Sequence, residues 1–165
     1  MITSGFLHGD IGHLFFNMYV FYGFCFYLSY IIGQLNNSSL VVGQLKFVAI
    51  YFGSMIISHL HDLFKHKNND FFRSLGASGA LSGVVLSFII FYPGAKLGLL
   101  FIPIMIPGPI FAALYIGISY LLARRGTTYV NHNAHLWGAF GGVLMTFIVE
   151  PQLFIYRIKQ IFHSF

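Results

Sequence analysis

The stretch Ser74–Ala95, SLGASGALSGVVLSFIIFYPGA, runs for 22 residues without a charged side chain and closes on Pro93-Gly94. A helix needs about 20 mostly apolar residues to cross the hydrocarbon core of a bilayer, and a Pro-Gly pair punctuates it. The stretch therefore reads as a membrane span over about 75–92. Outward from it the pattern repeats. Charge-free runs cover 11–45, 47–61, 97–123 and 126–149, and all but 47–61 are long enough to span.

Composition agrees. Of 165 residues, 57% are hydrophobic, 19% aromatic and only 8% charged, against about 25% charged in soluble domains. Mean hydropathy is +0.77. A water-soluble globule is excluded, and the fold class is all-α: a polytopic transmembrane helical bundle of about five spans. The chain divides into a transmembrane domain, 1–150, and a basic amphipathic C-terminal tail, 151–165. The nine Lys and Arg residues are scattered among the loops and form no stripe that would follow a phosphate backbone, so no nucleic-acid partner is expected. Cys25 is the single cysteine and reads as a packing residue in mid-span. Met1–Asp10 lacks the basic start and apolar core of a cleavable signal.

The first span covers about 12–32 and the second about 43–60, with Lys46 snorkelling at one end and His59 and His61 interfacial at the other. The third closes at Pro93-Gly94. Pro103, Pro107 and Pro109 break the helix between 95 and 108, so the fourth span starts near Pro107 or Gly108 and ends at Ala123. The fifth covers about 133–149. From Pro151, apolar Phe154, Ile155, Ile158, Ile161 and Phe162 alternate with Arg157 and Lys159, as in a helix lying on a membrane surface.

Polar residues inside a bilayer are costly and mark function. Three groups stand out: His8, His13 and Asn17 entering span one; Ser78 entering span three; His132 and His135 entering span five. Spans one, three and five run in the same direction, so these groups share one face of the membrane. His13 and Asn17 are one turn apart on one helix face. Gly138-xxx-Gly142 and Gly79-xxx-Gly83 each offer a surface for close helix approach; if they meet, His135 stands at the mouth of the contact near Ser78. A serine within reach of a histidine is the minimum for nucleophilic catalysis. Oxyanion donors could come from His13, Asn17 and the free N–H groups starting span three. The four acids, Asp10, Asp62, Asp70 and Glu150, lie off the presumed site helices, which leaves a Ser–His dyad and no triad. Each residue taken singly also has a plain reading: Ser78 as helix packing, His13 and Asn17 as interhelical hydrogen-bond glue, Trp137 as interfacial packing.

Three segments in order, His8-Gly9-Asp10-Ile11-Gly12-His13-Leu14-Phe15-Phe16-Asn17-Met18, Gly76-Ala77-Ser78-Gly79 and Ala134-His135-Leu136-Trp137-Gly138-x-x-x-Gly142, resemble the signature segments of rhomboid intramembrane serine proteases. The resemblance runs from residue 2 to about 150. It implies an intramembrane serine endopeptidase that hydrolyses peptide bonds in or near substrate transmembrane segments through an acyl-enzyme. Ser78 would be the nucleophile and His135 the general base and then acid. His13, Asn17 and the Ser78 backbone N–H would bind the oxyanion, with His8, Gly76, Gly79, Gly138 and Gly142 supporting the site. It also implies transmembrane protein substrates arriving laterally between spans one and four, the lipid bilayer as surroundings, and neither cofactor nor metal. The family core has six spans, and a helix is expected before the His8 segment. Ser82 stands one turn beyond Ser78, where some members stack an aromatic on the catalytic histidine. The stretch Pro93–Pro103 is similar to many bacterial members, implying a bacterial inner (plasma) membrane with the site on the extracytoplasmic side.

Two other classes of function compete. A catalytically inactive rhomboid-like protein would bind transmembrane segments without cutting them; such relatives typically lose the serine or the histidine, and this chain keeps both. A metal or haem protein would use His132-x-x-His135 or His59-x-His61, which have ligand-like spacing but lack His-Glu-x-x-His and a thiolate set.

Overall fold

The computed structural model describes residues 5, 7–35, 38–69, 76–98, 104–125 and 130–163. Six helices and one small ribbon make up the described fold: α1 (Ile11–Leu35), α2 (Leu40–His66), α3 (Ser78–Phe91), β1 (Lys96–Gly98), β2 (Met105–Pro107), α4 (Gly108–Arg125), α5 (His132–Val149) and α6 (Pro151–His163). The helix starts follow local chemistry. Asp10 Oδ1 accepts the His13 N–H at 2.8 Å, Ser39 Oγ accepts from Val42 N–H at 3.4 Å, and Asn131 Oδ1 accepts from Ala134 N–H at 3.1 Å. Each satisfies a first-turn donor that the helix itself leaves without a partner. Pro151 opens α6, where its missing N–H costs nothing.

α1 and α2 are each long and apolar enough to cross a bilayer. The interior of the bundle is built from small residues. Gly138 of α5 lies on Gly79 of α3 and Gly142 lies on Gly83, so closely that a Cβ on either α5 glycine would collide with α3 backbone. α2 closes on the same seam through Ser58 against Gly79 and Ser54 against Gly83. Such contacts let backbones approach where burial of apolar surface offers little, because lipid is as apolar as the partner helix. Fully buried hydroxyls lace the seam: Thr146 Oγ1 donates toward Ser87 Oγ (2.8 Å) and the Gly142 carbonyl (2.7 Å), and Ser87 Oγ reaches the Gly83 (2.8 Å) and Gly142 (3.1 Å) carbonyls. At the far end of α2, Lys46 Nζ donates to Glu150 Oε1 across the bundle. The exterior is apolar and aromatic, with Ile11 85% and Tyr22 84% exposed. That inverts the distribution of a soluble protein.

Two readings of the sequence change. Span two does not stop near residue 60; α2 continues to His66. Asp62, which looks like the first loop charge, is buried there because its Oδ2 accepts from the Asn131 side chain at 2.6 Å. The segment after Pro93-Gly94 does break the helix, and it pairs instead as an antiparallel ribbon, Lys96 opposite Pro107 and Gly98 opposite Met105. Pro103, residues 70–75 and Gly126 lie outside the described residues. α6 rests on the bundle, with the Phe154 ring edge-on to Phe147 at 5.5 Å.

Candidate active site

The starts of α1, α3 and α5 converge on one cavity of about 610 Å³. His13 and Asn17 line it from α1, Ser78, Gly79 and Ser82 from α3, and Ala134 and His135 from α5, with Asp10, Gly76 and Asn131 from the residues just before those helices. The chain direction that alternates from span to span brings these residues together, and the glycine seam sets their separation. Because Gly138 meets Gly79, His135 stands one turn before that contact, on the side of Ser78.

α3 explains the depth of the site. It has 14 residues, about 21 Å at 1.5 Å per residue, against a hydrocarbon core of about 30 Å. A helix that starts this late places Ser78 roughly 9 Å below the boundary if its other end reaches the opposite one. Ala77, the residue before it, has no side chain able to cap the helix. The first-turn N–H groups of α3 therefore remain as partial positive charge at the cavity wall.

Gly76 is the hinge of this arrangement. Its φ of +98° lies in the left-handed region that favours glycine, and a Cβ there would stand 2.7 Å from His13 Cε1 and 3.4 Å from Asn17 Nδ2. The backbone leading to Ser78 thus passes directly over the two α1 side chains. Asn17 is 2% exposed, yet its Nδ2 makes no hydrogen bond among the described residues. A buried amide donor without a partner is costly; at a cavity wall it is a group waiting for an acceptor. His8 packs edge-on to His13, ring centroids 5.2 Å apart, and its own buried Nε2 is likewise without a hydrogen bond.

Ser78 Oγ and the His135 ring share the cavity, but no hydrogen bond joins them among the described contacts. Catalytic hydrogen bonds are often long in a resting site and tighten only with substrate present. The surroundings of His135 are aromatic: Tyr115 of α4 lies over its ring (6.5 Å, 21°) and His132 meets it edge-on (5.7 Å, 83°).

Several contributors escaped the sequence reading. Tyr115 looks like one more aromatic on a lipid-facing span. His59 looks interfacial, but with α2 extended it is buried, donates its Nδ1–H to the Met55 carbonyl at 2.8 Å, and lines the cavity. Asp10 and Asp62 do attend the site helices after all. The first caps α1 and lines the cavity, and the second anchors Asn131 at the start of α5. Neither carboxylate hydrogen-bonds His135 among the described residues. His61 stacks on Trp137 at 5.0 Å. Among the described residues no three His, Cys, Asp or Glu side chains gather at a point that could hold a metal ion.

The rhomboid domain family model matches residues 1–152. The chain belongs to the rhomboid family. As a rhomboid it is a polytopic helical membrane protein. It is 31% identical over 149 residues to presenilin-associated rhomboid-like protein A, mitochondrial, of Danio rerio, covering 87% of this chain and 35% of that one. It is 30% identical over 148 residues to the human presenilin-associated rhomboid-like protein, mitochondrial, covering 87% of this chain and 36% of that one. Rhomboid protein 1, mitochondrial, of Saccharomyces cerevisiae is 31% identical over 149 residues, 87% of this chain and 40% of that one. This rhomboid chain thus spans about a third of the length of the curated relatives it matches. No solved structure matches it. The relatives overturn one expectation. They are eukaryotic and named as mitochondrial, so the likeness of the 93–103 stretch to bacterial members does not place this protein in a bacterial plasma membrane. A likeness over 11 residues weighs less than identity spread over 149.

Proposed function

We propose that this rhomboid is an intramembrane serine endopeptidase acting on transmembrane protein substrates in a mitochondrial membrane. The observation that carries the reading is the convergence on one cavity of Ser78, His135 and a buried Asn17 Nδ2 that has no hydrogen bond among the described residues. Ser78 Oγ attacks the scissile carbonyl carbon while His135 takes its proton. The carbonyl oxygen, now an oxyanion, is met by Asn17 Nδ2, His13 and the Ser78 N–H at the start of α3. His135 then gives its proton to the leaving amine, leaving an acyl-enzyme. Water adds to the ester with His135 as base, and the carboxylic acid product departs as Ser78 recovers its proton.

The cavity also supports lateral access. Below the polar residues it continues along Val20 and Phe24 of α1, Val85 of α3 and Phe111 of α4, down to Leu97 of the ribbon. An apolar groove between α1 and α4 suits a substrate helix whose backbone must be opened next to Ser78. α6, carrying Arg157 and Lys159 without an acid, rests at the membrane surface in this reading.

The test is cleavage of a labelled single-span substrate by the purified chain in liposomes, beside Ser78→Ala and His135→Ala. Cleavage by the wild type alone supports the reading. That no hydrogen bond joins Ser78 and His135 among the described residues favours a second reading, a rhomboid-like protein that binds transmembrane segments without cutting them. Substrate capture equal in all three proteins, with no cleavage, would select it.

A further inference from the structure

The ring nitrogens of His135 make no hydrogen bond among the described residues, and no carboxylate reaches them. Something other than a hydrogen bond must therefore hold the ring. Two ring contacts do so, and the larger comes from α4. That helix buries only Gly108 and Ser119 completely, yet Tyr115 turns inward from it. Its ring lies over His135 at 6.5 Å and 21°, within the range of offset stacking. Phe111, one turn earlier, stacks on the outer side of Tyr115 at 6.4 Å and 5°. The Tyr115 hydroxyl meets Ser82 Oγ at 2.5 Å, and Ser82 Oγ donates to the Ser78 carbonyl at 2.8 Å. One phenol thus touches the histidine through its face and the turn that carries the serine through its hydroxyl.

We propose that Tyr115 is the positioning residue of the dyad, setting the plane of His135 relative to Ser78. This rests on the endopeptidase reading for its catalytic meaning, though the contact itself does not.

The experiment uses the full chain in detergent with two readouts: the rate at which a fluorophosphonate probe labels Ser78, and the rate at which diethyl pyrocarbonate modifies His135, both by mass spectrometry. Tyr115→Leu removes the ring. It is expected to slow probe labelling about tenfold, the size of an aromatic pair contact expressed as a rate, and to speed His135 modification. Tyr115→Phe keeps the ring and loses the hydroxyl that meets Ser82 and Ser119. It and Ser82→Ala are each expected to slow labelling by a smaller factor, with the double variant slower by less than the product of the two because they share the Tyr115–Ser82 link. That non-additivity stays readable even if Tyr115→Leu fails to fold. Wild-type labelling with Tyr115→Leu equal to it in both readouts overturns the positioning role and leaves the endopeptidase reading intact. A wild type silent to the probe, whose His135 is nevertheless unmasked by Tyr115→Leu, supports the positioning role and counts against the endopeptidase reading.

Discussion

Gly76→Ala tests how the site is assembled. At φ +98° a side chain costs about 1–3 kcal/mol in backbone strain, which alone would lower stability without touching chemistry. The added methyl also meets His13 Cε1 at 2.7 Å and Nε2 at 2.8 Å, against ordinary carbon contacts of about 3.5–4.0 Å. His13 must therefore retreat by about 1 Å, whereas Asn17, at 3.4 Å from the same methyl, stays at ordinary contact. Misplacement of that size costs about a hundredfold in rate, and removal of one oxyanion donor costs about 10²–10³-fold. Gly76→Ala is thus expected to slow fluorophosphonate labelling of Ser78 by about a hundredfold and to lower the unfolding midpoint modestly. The diagnostic is the cycle with His13→Ala. Once the imidazole is gone the methyl has nothing to displace, so the double variant should label no more slowly than His13→Ala alone. Multiplicative effects, or wild-type labelling by Gly76→Ala, would refute the idea that Gly76 exists to bring the serine's backbone over the α1 donors.

Other perturbations read the scaffold. Gly138→Val drives a branched side chain into the Gly79 carbonyl; the loss should exceed the 1–3 kcal/mol typical of overpacking, and thermal unfolding in detergent would show it. Thr146→Val keeps the shape and removes the hydroxyl that binds Ser87 and Gly142. Interhelical hydrogen bonds in membranes are worth about 0.6 kcal/mol on average, so a small drop in midpoint with unchanged labelling is expected. Asp62→Ala cuts the link from α2 to Asn131 at the start of α5. Because His135 lies one turn into that helix, labelling of Ser78 should fall by more than the change in stability explains, as parallel rate and melting measurements would reveal.

Most of the bundle was readable because charge-free length and proline placement are local properties. Even the presence of Ser78 and His135 on one cavity followed from chain direction, and the close approach of α3 to α5 from Gly79, Gly83, Gly138 and Gly142. What the sequence hid was tertiary. Tyr115 is one of ten tyrosines, and nothing nearby in the chain marks it as the one that turns onto a histidine. Asp62 looked like a loop charge because its partner Asn131 is far along the chain. His59 looked interfacial because the end of α2 was placed too early, an error that the buried Asp62 pair explains. The bacterial reading leaned on the Pro93–Pro103 stretch, and so short a resemblance carries less weight than identity spread over 149 residues.

The most direct test of the account is fluorophosphonate labelling of the purified protein with the modified residue located by mass spectrometry. The account predicts a single modified serine, Ser78, in the wild type, and none in Ser78→Ala or His135→Ala. A folded wild type that stays unlabelled, or a His135→Ala variant that labels as fast as wild type, would contradict it.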